Sequence, residues 1–222
     1  RKYHALLSAW KQLNTIYPSY NTMTDVDAIF WSRPEHPLSS ESPEPIIDHL
    51  VAVENHCLSN TPAYTTLSDG TPTRTVLQTM AWTHDLGKIT TWWQEDHQNP
   101  TVPSVSRPAG RVADHSYLGG IATWWVLDQL GYNPYIRLIA GIAVARHHNT
   151  LPDLSEYFVT RFTDADRWET VRHQIANIDE YAEGPARQIF ESLADRTTQP
   201  EDHAVDEITS DAFRAAVPGG HV

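Results

Sequence analysis

Three observations predict an all-α fold. Apolar residues recur at helical spacing in successive segments, proline and glycine mark the segment ends, and no alternating β-branched run is long enough for a strand pair. No internal repeat is present.

Residues 5–17 read as a short helix with Leu6, Leu7, Trp10 and Leu13 on one face, and Pro18 to Ser42 as extended or irregular chain. Glu44-Pro45 opens a clearer helix, because a proline in the first turn forfeits no hydrogen bond. Ile46, Leu50, Val53 and Cys57 follow at helical spacing as far as Leu58, with His49 beside that stripe. A polar loop over 59–72 leads to a second helix, 73–86, with Val76, Leu77 and Met80 inward and Gly87 ending it. Gln98 to Ala113 carries prolines and glycines without periodicity and reads as a long loop. A third helix, Asp114 to Leu130, buries Leu118, Ile121, Ala122 and Trp125 and closes at Gly131. Asn133-Pro134 caps a fourth, whose stripe of Ile136, Ala140 and Ala143 leads to His147. Helices near 167–182 and 185–196 and an acidic tail near 201–214 follow.

Composition narrows the function. A chain of 222 residues, 40% hydrophobic and 20% charged, holds one ordinary core and is neither disordered nor fibrous. The longest apolar stretch, Leu138 to Ala145, is far too short to span a bilayer, and no leader pattern is present, so a cytoplasmic domain with no membrane partner is expected. The one cysteine, Cys57, excludes an internal disulfide and a cysteine zinc cluster. Lys and Arg number 16 against 28 Asp and Glu, a net charge of -12. Nucleic acid therefore gains nothing from the global field, and phosphate contacts must be local. Lys2, Lys11 and Lys88 are the only lysines, and this acidic, lysine-poor balance is compatible with a salt-adapted cytoplasm.

The 12 histidines carry the chemistry. His49 lies in the first helix, His84-Asp85 ends the second, His115 opens the third and His147-His148 ends the fourth. A single His-Asp dipeptide means little, since chance yields about one in a chain of this composition. The set means more, because each member sits beside an apolar face of a different helix. Packing those helices brings the imidazoles together, as in metal sites built inside helix bundles. Several imidazoles and an aspartate buried among Ile, Leu and Trp need a compensating partner, which a divalent cation supplies. Imidazole with carboxylate suits Mn, Ni, Co, Fe or Zn better than Mg. His56, two turns after His49 on the same helix, is a decoy for the ligand role, and His4, His36, His97, His173, His203 and His221 are expected at the surface, with His97 able to reach substrate from its loop. Trp92, Trp93, Trp124 and Trp125 are expected in core or lid packing, with base stacking on Trp92 or Trp93 as the alternative.

In this order His49, His84-Asp85, His115-Ser116 and His147-His148 resemble the HD superfamily of metal-dependent phosphohydrolases. More narrowly, His84-Asp85-Leu86-Gly87-Lys88, Trp93-Gln94, His115-Ser116 and His147-His148-Asn149 with Leu151-Pro152 resemble the HD nuclease domain of type I CRISPR interference. The resemblance covers roughly residues 40–180 and implies an all-α HD-domain helical bundle with a metal site in its core. Residues 1–40 would be an N-terminal extension and 41–222 the HD nuclease domain, truncated at its C-terminus. The resemblance further implies one or two divalent transition metals and an endonuclease or exonuclease hydrolysing single-stranded DNA by metal-activated water. Its partners would be a helicase domain or subunit and a crRNA-guided effector complex in antiviral defence. Carried over, His49, His84 and Asp85 hold one metal, and Asp85 bridges to a second held by His115, His147 and His148. Asp85 and Lys88 would be the catalytic pair, Lys88 facing the substrate phosphate or orienting a ligand, with Arg107, Arg111 and Arg146 as local phosphate contacts. The superfamily's final Asp has no clear counterpart; Asp195 is one candidate, Asp164 and Asp166 lie close to the preceding motif, and we expect the match beyond Val222. An HD phosphohydrolase acting on nucleotides or cyclic dinucleotides, and a catalytically silent docking domain, remain as alternatives at this point.

Overall fold

In the computed structural model, residues 29–33, 42–67, 69–148, 164–197, 208–209 and 211–213 are described. The helix expected over 5–17, Asn149, Leu151-Pro152, His4, His36, His203, His221 and most of the acidic tail lie outside them. The described chain is a helical bundle, as expected. Helix α1 spans Ile46–Ser59, α2 Thr73–Thr83, α3 Thr91–Asp96, α4 Ser116–Gln129, α5 Pro134–Ala145, α6 Ala165–Tyr181 and α7 Glu183–Thr197.

The helix starts follow the capping chemistry of the sequence. Asn133 accepts hydrogen bonds from the Tyr135 and Ile136 amides, Thr90 from Trp93 and Asp164 from Asp166. The expected faces are buried in part. Leu118, Ile121, Ala122 and Trp125 enter the core with Leu50, Trp82, Ile142, Ile189, Phe190 and Leu193. On α5, Ala143 is half-buried, and Ile142, Val144 and Ala145 go inward with Ile136 and Ala140. Trp92, Trp93 and Trp125 are buried, whereas Trp124 is partly exposed beneath the Arg137 guanidinium.

Two expectations need correction. A strand pair does exist: β1, Trp31–Arg33, pairs antiparallel with β2, Glu44–Pro45, Trp31 opposite Pro45 and Arg33 opposite Glu44. It is too short to show as an alternating pattern, and the Gln94 side chain holds it from outside. Gln94 accepts from the Trp31 amide and donates to the Trp31 carbonyl. The second helix does not run to residue 86. It ends at Thr83, Asp85 leaves helical geometry (φ -107°, ψ 16°), and Leu86–Ile89 forms one 3-10 turn.

Polar groups also enter the core. Glu54, 7% exposed, faces inward on α1 and accepts from Gln78 Nε2, Trp82 Nε1 and Arg196 Nε at 2.7–2.8 Å. Thr83 and Thr123 share a 2.6 Å hydroxyl contact between α2 and α4. Gln174 of α6 donates to the Val112 and Asp114 carbonyls, fixing the end of the long loop just before His115.

Candidate metal centre

The site begins with two glycines. A Cβ on Gly119 would lie 2.4 Å from the His84 carbonyl oxygen, and one on Gly87 2.5 Å from the His115 Cα. No side chain fits either position, so α4 docks directly against the end of α2 and the 3-10 turn. That contact sets His115 opposite His84-Asp85. The α4–α5 hairpin returns the chain so that His147 and His148, just past the end of α5, arrive on the same side. His49, in the first turn of α1, stands between Glu44 of β2 and Asp85.

All six residues singled out as ligands meet around the Asp85 carboxylate. Its Oδ2 lies 3.2 Å from His49 Nε2 and 3.1 Å from His84 Nε2, and these two nitrogens are 3.4 Å apart. Its Oδ1 lies 3.4 Å from His115 Nε2 and 3.5 Å from His147 Nε2, with His148 Nε2 2.9 Å from His115 Nε2. The ligand atoms of each set lie within 4.8 Å of one another. Four ligands at about 2.1 Å around a tetrahedral ion stand about 3.4 Å apart, so both sets have the spacing of an ion's coordination shell.

The donor set fits a cation in a second way. His84 Nδ1 donates to the Ala81 carbonyl and His147 Nδ1 to the Val144 carbonyl, at 2.8 and 2.7 Å. In the neutral ring that leaves Nε2 as a lone pair aimed at the Asp85 anion. Lone pair facing carboxylate is repulsive, and a cation between them reverses the sign. His49 is oriented likewise, with Nδ1 3.1 Å from Glu44 Oε2. Outer hydrogen bonds of this kind are how ligating imidazoles are held. Asp85 is 1% exposed, and its buried Oδ1 receives no hydrogen bond. An ionised oxygen left so is costly unless a cation meets it.

Electrostatics agree. Without an ion, burial alone would raise the Asp85 carboxyl, but hydrogen bonding from the rings of His147, His49 and His84 and attraction to His84 hold it far below the usual carboxylate range. Burial pushes His115 down to about 3, with Lys88, His147 and His148 adding to the shift and Asp85 opposing it. His148 is lowered by burial and by His147. An ionised Asp85 beside His115 and His148 rings disfavoured from protonation is the state a metal requires of these groups.

Lys88 is turned inward. Its Nζ lies 2.7 Å from Asp85 Oδ2, donates to the Ser32 carbonyl at 2.9 Å and sits 5.2 Å from the centre of the Trp93 ring. Arg107, expected at phosphate, is engaged by Asp96, Glu95 and the Trp92 carbonyl. His97 stacks on Trp93 at 3.7 Å and donates to its carbonyl. His56 stays exposed on α1. Asp195 lies exposed on α7, and neither it nor Asp164 or Asp166 joins the two ligand sets. Sequence reasoning missed Glu44 and Ser32; Glu44 stands five residues before His49, a spacing that carries a signal only once the strand pair is known. A cavity of about 550 Å³ beside α6, lined among others by Arg111, Asp114 and Gln174, includes none of the six.

Over 86 residues, 37% of this chain, the sequence is 36% identical to the CRISPR-associated nuclease/helicase Cas3 of Haloferax volcanii. This region of the chain is distantly related to part of Cas3. The match spans 8% of that protein's length. No family model matches the chain, and no solved structure matches it. Among the described residues no helix is long and apolar enough to cross a membrane.

Proposed function

We propose that this chain is a metal-dependent phosphodiesterase, an HD-type nuclease that cleaves single-stranded DNA in CRISPR interference. The observation that carries the reading is the Asp85 carboxylate, which offers one oxygen to each of two imidazole sets at coordination spacing. The Cas3 similarity supports the polymer substrate, the cytoplasmic setting and the partners, a helicase and a crRNA-guided complex. The catalytic domain would be residues 41–222, with 1–40 as its extension.

One or two divalent transition ions (Mn, Ni, Co, Fe or Zn) would lower the pKa of a water and neutralise charge on a phosphodiester. The chain's own residues prepare that chemistry. His49, His84 and Asp85 present one set of ligand atoms, and Asp85, His115, His147 and His148 the other. Glu44, Ala81 and Val144 fix the ring orientations from behind. Lys88 orients Asp85 and offsets its charge, a positioning role in place of direct phosphate contact. His147 and His148 are exposed among the described residues, the side from which a strand would reach the cluster.

The test is a panel of single-stranded DNA, duplex DNA, dNTPs and cyclic dinucleotides with Mn2+, Ni2+ or Co2+. Metal-dependent cleavage of single-stranded DNA, abolished in Asp85→Ala, is expected. Turnover of nucleotides alone would move the assignment to a small-molecule phosphohydrolase. Full activity in Asp85→Ala would refute the site.

A further inference from the structure

We infer that Lys88 makes the two metal positions unequal, so that the Asp85 Oδ1 side loads before the Oδ2 side. The inference rests on the proposed two-ion centre and concerns the order in which it fills.

The two sides differ in three ways. The Oδ1 side has four ligand-bearing residues, Asp85, His115, His147 and His148, whereas the Oδ2 side has three, His49, His84 and Asp85. Oδ1 is buried without a hydrogen bond, whereas Oδ2 already carries the Lys88 ammonium at 2.7 Å. The Lys88 side chain is 11% exposed and is anchored from behind by the Ser32 carbonyl of β1. The ammonium therefore cannot simply swing into water.

An ion entering the Oδ2 set must share that oxygen with a fixed cation. Like charges a few ångströms apart in a poorly solvated site repel much more than they would in water. An ion entering the Oδ1 set meets a free anionic oxygen and stands farther from the ammonium by the width of the carboxylate. Among the described residues Asp85 is the one carboxylate that joins the Oδ2 set, and Glu44 stands behind His49 on the far side of its ring. Lys88 thus acts as a resident counter-ion on one side of the bridge.

The test is Mn2+ titrated into chelator-stripped full chain, followed by calorimetry and by EPR, in which a coupled Mn pair is distinguished from a single ion. The wild type is expected to bind one equivalent at least tenfold more tightly than the second. Lys88→Gln, which keeps a donor for Ser32 and drops the charge, should tighten the second equivalent about tenfold more than it tightens the first, with the coupled signal appearing at lower Mn2+. Tenfold corresponds to about 1.4 kcal/mol. Lys88→Met, which keeps the apolar stem, serves if the Gln variant does not fold, and the wild-type affinity ratio tests the idea without any variant. Two equal wild-type equivalents, or a Lys88→Gln profile identical to wild type, would overturn this inference and leave the metal centre standing. Absence of any Mn2+ binding by folded wild type would overturn both.

Discussion

Asp85→Asn changes one atom of a side chain that is 1% exposed, so its effect reports charge and not shape. In the metal-free protein the carboxylate is the ionic partner of Lys88, whose Nζ otherwise meets the Ser32 carbonyl. Removing one member of a buried pair costs about 3–5 kcal/mol, because the survivor keeps its desolvation without its partner. The lower end is favoured because Ser32 continues to solvate the ammonium. We therefore expect Asp85→Asn to destabilise the stripped protein by about 3 kcal/mol.

Lys88→Met should cost a similar amount, since it strands the carboxylate instead. With both replaced, neither charge remains, and the double variant should be more stable than the sum of the singles implies by about 2 kcal/mol. Urea unfolding of all four proteins in excess chelator measures this cycle directly. Mn2+ at one hundred times its dissociation constant should add about 2.7 kcal/mol to the wild type, an increment that Asp85→Asn should largely lose. A single-variant cost below about 1 kcal/mol, or additivity within about 0.5 kcal/mol, would show that the two charges do not depend on each other.

In the stripped protein, stability should fall as pH drops from about 6.5 towards 3. The unfolded chain takes up the proton that folded His115, lowered to about 3, refuses, and the depressed Asp85 carboxyl adds the same sign below its ordinary range. Urea midpoints that stay flat across that window would contradict the neutral assignment of His115. Gly119→Ala should cost about 1–3 kcal/mol and weaken Mn2+ binding, because its Cβ would press on the His84 and Thr83 carbonyls and drive α4 from the Asp85 turn. Unchanged Mn2+ calorimetry in a destabilised Gly119→Ala protein would show that His115 does not need this contact.

The inner residues were legible because each lies at the end of an element with a sequence signature. His84-Asp85 follows an apolar stripe and His147-His148 another, while Asn133-Pro134 and Gly131 mark the hairpin that returns the second pair to the first. Periodicity did not reveal the polar contacts that fix these ends. Glu54 lies outside the stripe of Ile46, Leu50, Val53 and Cys57, yet it faces Trp82 and Arg196, the latter 142 residues away. Its carboxyl stays below the usual range, since the hydrogen bonds from Gln78, Trp82 and Arg196 outweigh the burial that would raise it. Nothing in a local window announces a partner at that distance. The 73–86 helix was overextended for a related reason. Leu86 and Ile89 keep an apolar rhythm through a turn whose purpose is to swing Asp85 inward, so the stripe alone could not show where the helix stops.

The largest omission is also the most informative about how the centre is balanced. Residues 31–33 read as irregular chain because three residues cannot display a strand pattern, and their partner strand is two residues long. This pair nevertheless controls both sides of Asp85 Oδ2. Ser32 Oγ donates to Glu44 Oε2, and Glu44 in turn holds His49 by Nδ1, while the Ser32 carbonyl holds Lys88 Nζ. One residue of β1 thus ties an imidazole and an ammonium that meet at the same carboxylate oxygen. Gln94 bonds both the Trp31 backbone and the Lys88 carbonyl, which ties the strand to the 3-10 turn. The charge on Asp85 is therefore set by segments more than fifty residues apart, and a change in β1 should reach the metal centre through Glu44 and Lys88 together.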